Sequence, residues 1–106
     1  MRPMSSSNKS SREKALLFLK KIPAGKVATY KSIGDMFKLH PRTVGLIMSR
    51  NKHPEIYPCF KVVKSNGELG GYSGVGGIRR KAELLRKDGV EFKGRIDMKK
   101  YLWIPA

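Results

Sequence analysis

The sequence predicts a mainly α-helical domain with a small β-hairpin, arranged as a winged helix-turn-helix. Two short amphipathic segments separated by a brief turn predict the helix pair, and a turn signal between two apolar runs predicts the wing. The third observation is charge, because 23 Lys and Arg against 8 Asp and Glu give a net charge of +15 over 106 residues. This length allows one hydrophobic core and excludes an enzyme with separate cofactor and substrate lobes.

The N-terminal segment differs in composition from the rest of the chain. Residues 1–11 are rich in serine, contain scattered basic residues and show no apolar periodicity, so we expect a disordered basic arm. Apolar residues at helical spacing then predict a first helix over residues 12–21, with Ser11 as its N-cap. We therefore expect residues 12–106 to form the folded domain.

Two further short helices carry the helix-turn-helix prediction. After Pro23 and an extended stretch, the second helix is predicted to begin near Ser32. Pro41 is a favourable first helical position, and the third helix is predicted to run from it to about Arg50. In such a pair the second helix is the one that enters a groove of nucleic acid.

The second half of the sequence supplies the predicted wing and a final helix. Residues 60–63 and 68–72 flank Ser65, Asn66 and Gly67, which is a hairpin signal. A glycine-rich loop then precedes a predicted helix over residues 78–87. The tail, residues 90–106, contains too many apolar residues to be free, so we expect it to pack back on the domain.

The basic charge is concentrated near the predicted third helix. Between Asp35 and Glu55 there is no acidic residue. The same stretch contains four basic residues, namely Lys38, Arg42, Arg50 and Lys52. A solvated basic face is the alternative interpretation, but the helix pair, the wing and the net charge together favour nucleic acid as the partner. Duplex DNA is favoured over RNA because no aromatic-studded sheet or Gly-x-x-Gly clamp is visible.

Small residues on the third helix fit the same interpretation. They allow the helix backbone to approach DNA closely, as binding in a shallow or narrow groove requires. These residues are Thr43, Gly45 and Ser49.

No segment of the sequence predicts a membrane-spanning helix or a secretory signal. The sequence has no apolar run of the length needed to span a bilayer, and residues 1–12 lack the apolar centre of a secretory signal. We therefore expect an intracellular protein, in the cytoplasm or the nucleus, with no membrane partner.

Cys59 is the single cysteine and follows Pro58 at the junction of a predicted loop and strand. One cysteine cannot form an internal disulfide, and no Cys/His cluster has the spacing of a zinc site, so we expect no metal. Cys59 is therefore either a small buried hydrophobe or a nucleophile.

Five segments of the chain together carry a family resemblance. They are IPAGKVATY at 22–30, RTVG at 42–45, Asn51, YPCFKVV at 57–63 and GGYSG at 70–74. In order and spacing, over residues 16–89, they resemble the DNA-binding domain of the O6-alkylguanine-DNA alkyltransferases and of their relatives, the alkyltransferase-like proteins.

The resemblance implies a reaction and a substrate. Cys59 matches the cysteine that accepts the alkyl group irreversibly from O6-alkylguanine in duplex DNA, so that the protein is consumed and no cofactor is needed. Arg42 matches the finger that enters the base stack in place of the extruded nucleotide. Tyr30 matches the tyrosine that helps to rotate the nucleotide outward and donates a hydrogen bond to the flipped base.

The resemblance also implies a pocket for the flipped base. Met48 and Pro54 match its walls, and Asn51 matches a residue that orders the turn before the cysteine loop. The carbonyl of Val62 matches the acceptor for the guanine amino group. Tyr72 and Ser73 match the loop that covers the base and bonds its O6 edge.

Two positions depart from the family pattern. The family's motif is Pro-Cys-His-Arg-Val, and its His relays the thiol proton through water towards a Glu. This chain has Phe60 at the position of that His, directly after the cysteine, where the resemblance places it in the pocket. Asp88 stands at the position of the Glu and is one methylene shorter, so the resemblance assigns it the catalytic carboxylate's place.

These departures leave three functions open. The first is a single-turnover methylated-DNA–protein-cysteine S-methyltransferase that reacts through Cys59. The second is a lesion sensor that holds the flipped base without reacting and brings in other repair proteins. It is suggested by the tail, which resembles that of the alkyltransferase-like proteins, although those have Trp or Ala in place of the cysteine. The third is a winged-helix regulator with an inert Cys59, which we rank last because no dimer helix is evident and we expect a monomer.

Overall fold

The structure is a computed structural model that describes residues 10–72 and 74–105. Its helices and strands occur in the following order: α1 (Ser11–Leu19), β1 (Ala28–Thr29), α2 (Tyr30–Phe37), α3 (Pro41–Ser49), a 3₁₀ helix (Cys59–Lys61), β2 (Val62–Val63), α4 (Gly77–Lys87) and α5 (Met98–Tyr101). The prediction of a mainly helical domain is thus confirmed. Residues 1–9 of the predicted arm and Ser73 lie outside the described residues.

Helix α1 begins at a capping box. The hydroxyl of Ser10 accepts a hydrogen bond from the Glu13 N–H at 3.1 Å, and the Glu13 carboxylate accepts one from the Ser10 N–H at 3.5 Å. The N-cap is therefore Ser10, one residue before the predicted Ser11. The pattern Ser-x-x-Glu explains the difference, because only Ser10 has a Glu at the third helical position.

Helices α2 and α3 confirm the predicted helix-turn-helix. Helix α2 begins two residues before the predicted Ser32, because the Thr29 hydroxyl caps it by accepting from the Ser32 N–H at 2.9 Å. The turn between the helices is tight. Lys38 adopts a left-handed conformation with φ of 57°, and a Cβ atom on Gly34 would lie 2.3 Å from the carbonyl oxygen of Leu39. Glycine at position 34 is thus what allows the chain to turn so closely.

The predicted β-hairpin is wrong, because the two strands of the described chain are parallel. Residue 28 pairs with residue 62, and residue 29 with residue 63. A turn does form after β2, closed by a 2.8 Å hydrogen bond from the Lys64 N–H to the Glu68 carbonyl. Residues 68–72 do not continue it as a strand, since the carbonyls of Val62, Leu69 and Gly71 all accept hydrogen bonds from the Lys81 side chain instead.

The tail packs back on the domain, as predicted. The N–H of Val27 donates to the Tyr101 carbonyl at 2.9 Å, and the N–H of Trp103 donates to the Val27 carbonyl at 2.8 Å. The indole of Trp103 stacks on the ring of Phe18, with 5.7 Å between centroids. The tail therefore closes the core on the side of α1 and extends the small sheet beside β1.

Buried apolar side chains form two clusters. The larger one joins α1, α2 and α3 to Cys59 and Val62, and the smaller one joins β2 and α4 to the tail. Among the described residues, no helix has the length and apolar character needed to cross a membrane.

Candidate active site

A cavity of about 710 Å³ lies between α3 and the loop that follows β2. It brings together seven of the residues singled out from the sequence: Tyr30, Arg42, Gly45, Met48, Ser49, Cys59 and Tyr72. The sequence analysis had assigned no site role to its other lining residues, namely Lys31, Pro41, Lys64, Ser65, Gly70 and Gly71. Of the described residues that line it, three are basic and none is acidic. The cavity therefore suits an electron-rich or anionic guest.

Cys59 is the first residue of the 3₁₀ helix and is only 4 % exposed. Its N–H donates to the Tyr57 carbonyl at 2.7 Å. The same carbonyl accepts from the side-chain amide of Asn51 at 2.8 Å, and the Asn51 amide oxygen accepts from the His53 N–H at 3.0 Å. Asn51 thus links the end of α3 to the loop before the cysteine, which is the ordering role the resemblance implies for it.

Tyr30, the first residue of α2, places its half-buried ring on the cavity wall. Burial raises the pKa of Tyr30 above 10.0, and the negative charge of a Cys59 thiolate raises it further. The hydroxyl therefore stays protonated at neutral pH and is able to donate a hydrogen bond. The backbone at Gly70 lies directly against it, since a Cβ atom there would be 2.8 Å from the Tyr30 oxygen.

Tyr72 also lines the cavity and is half-buried. Burial is the largest cause that raises its pKa, followed by the charge of Cys59, while Arg80 lowers it and Glu55 raises it. A negative charge on Cys59 thus raises the pKa of both Tyr30 and Tyr72. Ser73, which the resemblance places beside Tyr72, lies outside the described residues.

Lys81, in α4, is a site feature that the sequence analysis missed. It is fully buried, and its ammonium group donates to three carbonyls: Val62 at 2.7 Å, Leu69 at 2.5 Å and Gly71 at 2.9 Å. Its Nζ atom also lies 3.4 Å from the Tyr30 hydroxyl. A signal for this burial exists in the sequence, because Lys81 lies four residues before Leu85, on the same face of the helix.

Several predicted pocket residues do not line the cavity. Phe60 packs against the smaller apolar cluster and does not line the cavity. Val62 is buried in the core, and its carbonyl already accepts a hydrogen bond from Lys81. Pro54 borders a separate depression together with Arg50, Lys52 and Val75. These three residues are therefore not part of the cavity wall that the structure describes.

Asp88, to which the resemblance assigns the place of the catalytic carboxylate, does not line the cavity either. Its carboxylate oxygen Oδ2 lies 2.9 Å from the Nζ atom of Lys61 and accepts a hydrogen bond from the Gly25 N–H at 3.0 Å. Lys61 is buried and further donates to the carbonyls of Ile22 and Pro23. The structure thus uses Asp88 as the counter-charge of a buried lysine.

The exposed side of α3 and of the turn before it carries the remaining predicted DNA contacts. Arg42 is exposed at the edge of the cavity, and its backbone N–H donates to the Nδ1 atom of His40 at 3.0 Å. Lys38 and Thr43 are exposed beside it without lining the cavity. A Cβ atom on Gly45 would meet nothing within 4 Å, so this part of the helix surface is open.

The described residues contain no group of three or more His, Cys, Asp or Glu side chains arranged to hold a metal ion. The functional groups that line the cavity include one thiol, two phenols and three basic side chains.

The fold and the site define a helix-turn-helix DNA-binding domain with a cysteine in a cavity beside its recognition helix. Residues 10–90 match the family described as 6-O-methylguanine DNA methyltransferase, DNA binding domain. The chain belongs to this family of DNA repair proteins, which confirms the resemblance seen in the sequence.

Relatives and solved structures agree with this membership. The chain is 47 % identical over 78 residues to a methylated-DNA–protein-cysteine methyltransferase of Pyrobaculum aerophilum, covering 74 % of this chain and 51 % of the relative. It therefore spans about half the length of that relative. It is 35 % identical to Mycobacterium tuberculosis OGT solved in complex with DNA, with a TM-score of 0.63, covering 82 % of this chain and 51 % of that one.

Among the solved structures that match the chain over nearly its whole length is S. pombe Atl1 in complex with damaged DNA containing O6-carboxymethylguanine. The TM-score is 0.79, and the match covers 97 % of this chain and 100 % of Atl1. At 24 % identity this likeness concerns the fold alone.

Proposed function

We propose that this chain binds duplex DNA containing O6-alkylguanine, takes the flipped base into its cavity and transfers the alkyl group to Cys59. The observation that carries the proposal is the cavity itself, which brings Cys59 together with Tyr30 and Arg42 beside α3. A base has to leave the duplex to reach a buried sulfur, so a pocket next to the recognition helix is the arrangement that such chemistry needs.

Binding is assigned to the exposed basic face. Lys38 and Arg42 are exposed at the helix-turn-helix, and the net charge of +15 favours a polyanion over other partners. Open space over Gly45 lets α3 approach the duplex closely, with Thr43 and Ser49 beside it. Arg42, at the edge of the cavity, is assigned the place that the extruded base leaves in the stack.

The transfer is a substitution at the alkyl carbon. The Cys59 sulfur, as thiolate, attacks this carbon, the bond from carbon to O6 breaks, and its electron pair stays on the guanine. The thiol has first given up its proton to water, and the guanine anion takes up a proton from water at N1 after the transfer. The products are a thioether on Cys59 and an unmodified guanine, so each protein molecule reacts once. Met48 and Tyr72 are assigned the walls that hold the base, and Tyr30 a hydrogen bond to it.

A lesion sensor is the second candidate, and Phe60 is the observation that favours it. The residue beside Cys59 cannot accept a proton, its side chain packs into an apolar cluster, and Asp88 is engaged with Lys61. A chain of this kind could hold the flipped base and bring in other repair proteins without reacting.

Intact mass measured before and after mixing with duplex DNA containing O6-methylguanine tests the proposal. We expect the protein to gain one methyl group, located on Cys59 by peptide mapping, and the DNA to lose it. Cys59→Ser is the matched control, because it keeps the cavity but replaces the thiol by a far weaker nucleophile.

The outcomes separate the two candidates. Cys59→Ser is expected to bind the lesion duplex and leave it intact. A natural protein that binds this duplex in preference to undamaged DNA, yet gains no mass even at alkaline pH, would overturn the transfer and leave the sensor.

A further inference from the structure

The loop that forms one side of the cavity has little side-chain packing of its own. Gly70, Gly71 and Tyr72 all line the cavity, and two of these three residues are glycines. A Cβ atom on Gly71 would meet nothing within 4 Å, so the surroundings do not press on the loop there. The position of the two glycines therefore depends largely on contacts of their backbone and of the backbone beside them.

Lys81 makes such contacts from the interior of the domain. Its side chain is fully buried, and its Nζ atom donates to the carbonyls of Leu69 at 2.5 Å and Gly71 at 2.9 Å, on both sides of Gly70. The same atom donates to the carbonyl of Val62, in strand β2, at 2.7 Å. One ammonium group thus joins the loop to the small sheet.

A fourth contact joins Lys81 to another residue of the cavity wall. The Tyr30 hydroxyl accepts from Nζ at 3.4 Å, and Nζ lies 5.7 Å from the centroid of the Tyr30 ring. A charged ammonium group only donates hydrogen bonds, so the Tyr30 oxygen is the acceptor and its own proton points elsewhere. Lys81 therefore fixes Tyr30 and the loop relative to each other, although it is not among the described residues that line the cavity.

We propose that Lys81 is a positioning residue for the base pocket, and that it holds Tyr30 and the loop of residues 69–72 at the separation that a flipped guanine requires. This inference rests on the proposed function. In this role Lys81 touches neither the base nor the alkyl group, so it acts on the reaction through Tyr30 and Tyr72.

Burial of the Lys81 charge is coupled to the position of the loop. Burial lowers the pKa of Lys81 from 10.5 to about 8, which means that the interior disfavours the ammonium form, while a negative charge on Cys59 raises it. The hydrogen bonds of the ammonium group offset this cost, and two of the three carbonyls that accept them belong to the loop. Movement of the loop away from α4 would leave a buried charge without two of its partners.

Lys81→Met tests this assignment, because methionine fills a similar space and removes the hydrogen-bond donor. Lys87→Met is the control, since Lys87 is an exposed residue of the same helix. Circular dichroism establishes whether each variant is folded.

The first readout is the mobility of the loop, measured without DNA by NMR relaxation of the backbone amides. In the natural protein we expect order parameters of about 0.85 for residues 69–72, as in α2 and α3. In Lys81→Met the values of the loop should fall below about 0.6, while those of α2 and α3 stay unchanged. A mobile loop in the natural protein would overturn the proposal even if the variant does not fold. A loop that stays rigid in the folded variant would overturn it as well.

The second readout is the preference for lesion duplex, defined as the ratio of the affinities for duplex DNA with and without O6-methylguanine. It is measured by fluorescence anisotropy with Cys59→Ser present in every protein, so that no transfer takes place during the measurement. We expect Lys81→Met to lower this preference about tenfold, because Tyr72 loses part of its contact with the base. Affinity for undamaged DNA should stay the same, since Lys38 and Arg42 belong to the helix-turn-helix.

The two readouts distinguish a failure of this inference from a failure of the proposed function. A mobile loop combined with an unchanged lesion preference would overturn the positioning role of Lys81. Equal losses of affinity for both duplexes would overturn it too, because they would indicate a general loss of structure. A natural protein without any lesion preference would reject the proposed function, and the relaxation data would then decide separately whether Lys81 holds the loop.

Discussion

The Nζ atom of Lys61 lies 2.9 Å from the Oδ2 atom of Asp88, inside the protein and outside the cavity. Lys61 belongs to the same 3₁₀ helix as Cys59, and Asp88 caps the C-terminal end of α4. The Asp88 carboxylate also accepts from the Gly25 N–H, in the turn before β1. The Asp88 carboxylate thus holds the 3₁₀ helix that contains Cys59 against the end of α4 and the turn before β1. It influences Cys59 by fixing the position of this helix.

Asp88→Asn is expected to destabilise the protein strongly. The substitution leaves the Lys61 ammonium buried without a counter-charge, so the free energy of unfolding in urea should fall by about 3 kcal/mol. Asp35→Asn is the matched control, because it removes an ion pair whose two side chains are 66 % and 69 % exposed. That control should change stability by less than about 0.5 kcal/mol. Equal effects of the two substitutions would contradict the structural role of Asp88.

Arg42→Ala is expected to remove the preference for lesion duplex while leaving most of the affinity for undamaged DNA. A finger in the base stack acts on flipping, whereas other cations hold the backbone. The slope of log affinity against log salt should therefore stay unchanged. A slope reduced by about 0.9 would identify Arg42 as a phosphate contact instead. Arg86→Ala is the control, since Arg86 lies over the Phe92 ring at 4.4 Å and away from the cavity.

Gly45→Ala is expected to separate stability from DNA binding. A Cβ atom at this position meets open space, and alanine favours a helix over glycine, so the free protein should gain about 1 kcal/mol. The added methyl group fills the surface where α3 is proposed to meet the duplex. DNA affinity, measured by fluorescence anisotropy, should therefore fall although stability rises. Unchanged affinity would show that this face of α3 does not contact DNA.

Gly70→Ala is expected to displace Tyr30. The residue has a φ of 75°, and a Cβ atom would lie 2.8 Å from the Tyr30 hydroxyl, so strain and a steric contact add together. We expect a loss of about 1–2 kcal/mol in stability and slower transfer to Cys59. Gly71→Ala, where a Cβ atom meets nothing within 4 Å, is the control for stability and should leave it unchanged. Normal transfer by the first variant would show that the position of Tyr30 is not critical.

Local patterns in the sequence predicted the helices well. Pro41 fixes the start of α3, and apolar residues at helical spacing fix the face that it buries. The family motifs predicted that Cys59, Tyr30 and Arg42 come together. The turn between α2 and α3 was likewise predicted from the spacing of the two helical segments, although only the structure shows how close Gly34 and Leu39 are.

Features that depend on distant partners could not be predicted in this way. The strand β2 pairs with β1 rather than with the segment that follows it, because strand pairing is decided by packing and not by the turn signal at Ser65. Lysines are normally solvated, so the burial of Lys81 and Lys61 depends on carbonyls and a carboxylate that other elements supply. For Asp88, the motif position gave no sign of the buried Lys61 that lies beside its carboxylate.

The stacking of Trp103 on Phe18 gives the molecule a built-in spectroscopic probe. Trp103 is the single tryptophan of the chain, and it lies in the tail, against α1 and away from the cavity. Its fluorescence emission therefore reports on the docking of the tail on the helical core. Undocking of the tail should shift the emission to the red, whereas DNA that enters the cavity should leave the indole environment unchanged.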